Sequence, residues 1–332
     1  MVRQLGNTLC ALLAAVTPAV AATLHEDFSG DPAARGWGAA GDASLFAWDS
    51  TNGVLRVTWD SARTNSFFHH PLGTILAKDD DFSLAFDVWI DDLAIGTTPG
   101  KPGTFQIAVA LLNLGEATRP GLSVGTGANA TTGLRSTVEF NYFPDDGFGA
   151  TFSAIVVSSN NTSFSQFRFG HDFPLELDSG VWHRVTLAYS AATRSLSFAK
   201  TRAGVPYGVT NVIALGNEFT DFRIDSVAVA SYSDAGVSGP FSGSILARGR
   251  IDNLVVETPP PPVTQLAQTH AAAHTVNFLS RSNWFYTLLR STNLTTWTAL
   301  PATTNGTGLT AQLTDASPPV EKCFYRVRAE RP

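Results

Sequence analysis

Apolar residues recur at every second position over most of this chain. Phe82, Leu84, Phe86, Val88 and Ile90 alternate with Ser83, Ala85, Asp87, Trp89 and Asp91. Phe105, Ile107, Val109 and Leu111 alternate with Gln106, Ala108, Ala110 and Leu112, and Leu55, Val57 and Trp59 with Arg56, Thr58 and Asp60. Successive side chains on a strand point to opposite faces, so a period of two predicts strands with one face in a core. Turn-forming pairs separate these runs. Asn52-Gly53 lies between Phe46–Trp48 and Val54–Trp59, and Asp146-Gly147 between Val138–Phe143 and Thr151–Val157, and each predicts a hairpin. No stretch holds a helical period and no segment repeats. The pattern predicts an all-β protein, a sandwich or barrel of antiparallel strands.

The two ends of the chain depart from the alternation. Arg3 precedes an apolar run from Leu9 to Val16, and small residues follow at Ala19, Ala21 and Ala22. This is the form of a cleavable signal peptide, so residues 1–22 are expected to be removed. The run is shorter than the roughly 20 apolar residues a membrane-spanning helix needs. Leu9 before Cys10 also argues against lipid attachment. A secreted protein is expected, released to a periplasm, a cell surface or the medium without membrane insertion. Near the other end, Pro259 to Pro262 are consecutive prolines, which cannot donate ladder hydrogen bonds and favour a stiff extended spacer. The chain therefore divides into a large β domain at 23–257, a Pro-rich linker at 258–263 and a small β domain at 264–332. In the last, Trp284–Leu289, Trp297–Leu300, Leu309–Leu313 and Cys323–Val327 read as short strands.

Composition narrows the partners. Charged residues make up 15% of the 332 residues and the formal net charge is −6, which gives a phosphate backbone little to attract it. Nucleic acid is not an expected partner. Of the 2 cysteines, Cys10 leaves with the leader, so Cys323 has no intramolecular partner and stability must come from buried apolar area.

Two passages carry a family resemblance. Gly180, Trp182, His183 and Val185 with Leu196–Phe198, and the closing Ile251, Asp252, Asn253, Leu254 and Val256, resemble the concanavalin A-like lectin/glucanase superfamily and its laminin-G-like members. The resemblance spans roughly Leu24 to Val256 and implies a jelly roll of two curved antiparallel sheets. Tyr286, Ser291, Leu294, Trp297, Asp315 and the ending Phe324-Tyr325-Arg326-Val327 resemble small immunoglobulin-like modules of exported bacterial proteins, which implies a spacer or an attachment role. The first superfamily includes lectins, hydrolases, lyases and adhesion modules, so function has to come from side chains.

A jelly roll has a concave face that can hold a polymer, and strand parity selects the residues expected there. Asp87, Trp89 and Asp91 oppose the core set of their strand, as do Glu139 and Asn141 against Phe140 and Tyr142, and Trp182 and Arg184 against Val185 and Leu187. With Gln106 they form an expected carbohydrate-binding groove. Indole faces stack on the C–H faces of a pyranose, and carboxylates and amides bond its hydroxyls. The expected function is non-catalytic polysaccharide or cell-surface glycan binding. The alternatives are a polysaccharide hydrolase or lyase on the same fold and a structural adhesion or matrix module. Retaining glucanases of the superfamily use a Glu-x-Asp-x-x-Glu strand, and here Asn141 and Pro144 stand at its second and third acidic positions. A lyase would need a Tyr or His base near Arg and Gln, for which His69, His70, Gln106, Arg184 and Tyr189 supply residue types. Adjacent His69 and His70 point to opposite faces, so at most one could contribute. The resemblance also implies a structural Ca²⁺ where the first and last strands meet, with Glu26, Asp27 and Asp252 as candidate oxygen ligands.

Overall fold

The structure is a computed structural model that describes residues 11–12, 22–124, 135–144, 149–158, 168–172, 174–216, 219, 221–237, 242–260, 263–270, 273–282, 284–319 and 323–330. The expected leader, apart from Ala11, Leu12 and Ala22, the Asp146-Gly147 turn and Pro261–Pro262 lie outside the described residues. The chain forms two compact units, one from Thr23 to Thr258 and one holding Pro259 to Pro332 together with Met1–Ala22. Each has its own apolar core. No helix among the described residues is long and apolar enough to cross a membrane.

The large unit is an all-β sandwich of the jelly-roll class. One sheet has nine strands. Its main path runs Val205–Pro206, Ser195–Arg202, His183–Ser190, Phe82–Ile95, Ile245–Thr258, Val54–Asp60 and Phe46–Asp49, with Asn211–Ala214 and Ala22–Glu26 attached beside it. The other sheet has seven, in the order Arg168–Asp172, Thr151–Val157, Thr137–Phe143, Ile107–Leu112, Ile224–Ser231, Ser66–Leu76 and Gly38–Ala40. Both expected hairpins pair as the turn signals require, Phe46 opposite Val57 and Phe143 opposite Thr151. The single α-helix among the described residues is one turn long, Leu114–Ala117.

Alternating side chains of the two sheets meet in the middle. Phe140 packs on Phe86 at 5.5 Å and on Phe198 at 6.1 Å, ring centroid to centroid, so Val138, Phe140 and Tyr142 face the nine-stranded sheet. Phe82, Leu84, Phe86, Val88 and Ile90 are buried, while Ser83, Ala85, Asp87 and Trp89 are half-exposed, as the period predicts. The seven-stranded sheet breaks the simple in-and-out expectation. Ile107–Leu112 is buried at every position, and Thr137–Phe143 at all but its last. This sheet has a second covered face, and that face positions the candidate site.

The smaller unit has a three-stranded sheet of Thr264–His270, His274–Leu279 and Thr310–Asp315, and a four-stranded sheet that includes Phe324–Glu330, Phe285–Ser291 and Thr298–Asn305. Ala11 and Leu12 pair in parallel with Phe324 and Tyr325 at its open edge, where unpaired backbone groups accept an extended segment. Val276, Phe278, Trp284, Tyr286, Leu288 and Tyr325 fill the core. Cys323 is buried and hydrogen-bonded to Tyr325.

Candidate functional site

Strand register fixes which side chains share the covered face of the seven-stranded sheet. Reading straight across the strands, one rung is His69, Ala228, Ala110, Glu139 and Ile155, and the next is Phe67, Ala230, Ala108, Asn141 and Ser153. Four alanines thus make a low floor between His69 and Phe67 on one side and Glu139, Asn141 and Ser153 on the other. Gln106, two residues before Ala108, joins the same face by alternation.

Over this floor lies a buried polar network. Tyr232, just beyond the Ile224–Ser231 strand, reaches across the Ile107–Leu112 strand and donates its hydroxyl to Glu139 Oε2 at 2.5 Å. Arg135 Nη2 donates to the same carboxylate oxygen at 2.8 Å and to the Tyr232 hydroxyl at 2.9 Å, and the guanidinium lies 5.0 Å from the Tyr232 ring centre. Small side chains at 108 and 230 leave room for that ring. Burial pushes the Tyr232 phenol far up, so it stays protonated and acts as a donor. Burial alone would weaken the Arg135 guanidinium as a base, but the charges of and hydrogen bonds to Glu139 and Tyr232 together outweigh this and hold its pKa above the ordinary value.

The network answers only half of Glu139. Its Oε1 has no hydrogen-bond partner, and neither have Asn141 Oδ1, Ser153 Oγ and Gln106 Nε2. The four residues are 0%, 1%, 1% and 5% exposed, so bulk solvent does not reach them. His69 Nδ1, at the far end of the Glu139 rung, is also unpartnered. Burial, with the charge of His70 next to it, lowers the His69 pKa below 6.5, so the ring is neutral at pH 7.

The eight residues expected to line one groove divide between the two sheets. Glu139 and Asn141 stand on the covered face just described, and Gln106, just before the Ile107–Leu112 strand, falls on it by alternation. Asp87, Trp89, Asp91, Trp182 and Arg184 lie on the outward face of the nine-stranded sheet, with the whole core between the two sets. Parity assigns a residue to one face of its own strand, but it cannot say which sheet that strand joins. Four of the outward five are hydrogen-bonded to protein groups, and the fifth, Trp182, packs on Trp89. Trp89 and Trp182 are in contact, centroids 5.5 Å apart and tilted by 57°, while Arg250 covers the Trp89 ring at 5.3 Å and bonds Asp91 at 2.7 Å. Trp89 Nε1 donates to Asp91 at 2.9 Å. Asp87 accepts from Arg184 at 3.2 Å and from Asn253 Nδ2 at 2.8 Å. Asp87, Asp91, Arg184 and the Trp89 N–H each have a protein partner, and the Trp89 face that would stack on a sugar carries a guanidinium.

Of the expected calcium ligands, Glu26 ends the Ala22–Glu26 strand, which pairs with Ile245–Thr258, the strand that carries Asp252. Glu26 is buried and paired with Arg35 at 2.6 Å, and it accepts the Phe28 amide. Asp27 is held by the Ser29 amide and hydroxyl and by Arg35, which lower its pKa to about 2. Asp252 is half-buried, and that burial raises its pKa. The acidic strand start is committed to Arg35, and no group of three or more His, Cys, Asp or Glu side chains placed to hold a metal occurs among the described residues.

Sequence parity alone did not single out Arg135, Ser153 and Tyr232. Ser153 was accessible in principle, because the Asp146-Gly147 turn sets a hairpin register in which it stands opposite Asn141. Arg135, four residues before Glu139, and Tyr232, 93 residues after it, give no sequence signal for meeting at one carboxylate.

No protein-family model and no curated protein matches the chain. Solved structures similar to it include a peanut lectin, at 16% identity and a TM-score of 0.40, covering 70% of this chain and 98% of that one. A UEA-II lectin in complex with galactose gives 11%, 0.45, 73% and 100% for the same quantities. An endo-β-1,4-glucuronan lyase from the fungus Trichoderma reesei gives 13%, 0.35, 67% and 87%. At these identities and scores the likenesses carry no functional argument.

Proposed function

We propose that this protein binds carbohydrate through the face of the seven-stranded sheet that turns away from its partner sheet. The observation that carries the reading is the set of four buried, unpartnered polar atoms there: Gln106 Nε2, Glu139 Oε1, Asn141 Oδ1 and Ser153 Oγ. Each such atom left empty costs about 1–3 kcal/mol, so a cluster of them calls for a polar occupant. Saccharide hydroxyls both donate and accept, and the C–H faces of a sugar ring suit the alanine floor and the Tyr232 ring. Ordered water could satisfy the same atoms, and a measurable affinity for glycan separates the two occupants.

Binding fits the site better than catalysis. Glu139 has no second carboxylate on its strand, where Asn141 and Pro144 stand, and a retaining hydrolase needs two. Tyr232, the phenol nearest Glu139, is kept protonated by burial and is unsuited to act as a base. We further propose that residues 1–22 direct export and that the C-terminal unit is an immunoglobulin-like spacer. N-terminal sequencing of the mature protein tests the first of these.

The test of the main reading is titration calorimetry against a panel of oligosaccharides with the parent chain, Asn141→Ala and Ser153→Ala. Each substitution is expected to weaken binding at least about tenfold, roughly 1.4 kcal/mol. Trp89→Ala, on the other sheet, is expected to keep the affinity. A panel without a single ligand, or binding that survives both of the first two substitutions, removes the proposal.

A further inference from the structure

We infer that the ligand of this site is a neutral glycan and that uronate-bearing glycans are rejected, an inference that rests on the carbohydrate reading above. Of the four unpartnered atoms, Glu139 Oε1 and Asn141 Oδ1 can only accept a hydrogen bond, Ser153 Oγ can accept or donate, and Gln106 Nε2 can only donate. The site therefore asks mainly for donors. A neutral sugar brings a proton on every hydroxyl. A uronate replaces one hydroxymethyl group with two oxygens that only accept, and adds a negative charge.

The charges of the site point the same way. Arg135 is the cation in contact with Glu139, and its guanidinium already bonds the carboxylate and the Tyr232 hydroxyl. Neutralising one carboxylate leaves no surplus positive charge for a second. His69, on the same rung beyond Ala110 and Ala228, carries no proton charge at pH 7. A sugar carboxylate held next to Glu139 Oε1 would set two like charges together where water is excluded, a position in which repulsion is strongest.

The experiment pairs each neutral oligosaccharide that binds with its C6-oxidised counterpart, which differs only in CH2OH becoming carboxylate, and with the methyl ester of that acid. Calorimetry on the mature full chain is expected to show at least about a tenfold loss of affinity on oxidation. Esterification, which removes the charge and keeps the added oxygens, is expected to restore a large part of it. Glu139→Gln is expected to narrow the gap between neutral and oxidised ligands. The ester comparison holds even where that variant fails to fold. An oxidised ligand that binds as tightly as its neutral parent overturns the inference and leaves carbohydrate binding standing. Failure of every neutral and acidic glycan to bind overturns the carbohydrate reading, and this inference with it.

Discussion

Arg135 and Glu139 are 2% and 0% exposed, so bulk water reaches neither charge. Removing one member of such a pair strands the other in a low dielectric. Arg135→Met is expected to cost about 3–5 kcal/mol in urea denaturation. Changing both residues, Arg135→Met with Glu139→Leu, is expected to recover much of that, because no lone charge then remains. A small effect of the single change would mean that water or the surroundings already compensate Glu139, which would also weaken the case that its Oε1 awaits a ligand. Trp89 shows the opposite situation. Its partner Trp182 was legible from parity on two separate strands, but the Arg250 guanidinium lying over its ring was not. A candidate stacking surface thus became part of a packed outer face through a residue 161 positions further along the chain.

At the scale of strands, the pairing of Phe82–Ile95 with Ile245–Thr258 holds the nine-stranded sheet together, and its register shifts beside Gly249. A Cβ at that position would lie 2.2 Å from the Trp89 carbonyl oxygen and 3.0 Å from the Trp59 ring. Close approach of backbone, rather than a special dihedral angle, demands the glycine. Gly249→Ala is expected to lower stability by about 1–3 kcal/mol or more, read as a shift in the denaturation midpoint. An unchanged midpoint would mean that the strand can slide to admit a methyl group. The hairpins could be read directly, because Asn52-Gly53 and the alternation around it specify both turn and register locally. The double burial of Ile107–Leu112 could not. Its alternate residues, Ala108 and Ala110, are too small to signal which side they face, and what covers them comes from distant parts of the chain.

For the whole molecule, two separate cores make a definite expectation. A chain of residues 23–258 should fold alone, with a single cooperative transition, and should keep whatever glycan affinity the full chain has. Loss of binding in that fragment would place part of the site in the other unit. Acid stability gives a second test. His69 and His183 both have pKa values lowered by burial, below 6.5, so the unfolded chain binds protons that the folded one resists. Their contribution is present above about pH 6.5 and is lost as pH falls from there through the depressed folded values. Asp27 and Asp49, held near pKa 2 by amide, hydroxyl, side-chain amide and guanidinium bonds, lose their contribution only at much lower pH, as it falls below the carboxylate value of 3.8. The urea midpoint should therefore be lower at about pH 5 than at about pH 7.5, in a window where these carboxylates do not titrate. Equal midpoints would show that the two imidazoles stay accessible to protons.

By itself the sequence determined the all-β class, the hairpins and the face of each strand, because these follow from interactions between residues close along the chain. The alternation that buries Phe86 and Val88 also turns Asp87 and Trp89 outward, whatever the rest of the molecule does. Only the tertiary structure decided which strands share a sheet, and so which of eight outward-facing residues stand together. That choice depends on pairings between distant segments, such as Ala108 with Asn141 and Ala230. The same long-range folding brought Arg135 and Tyr232 onto Glu139 and left four polar atoms beside them unanswered.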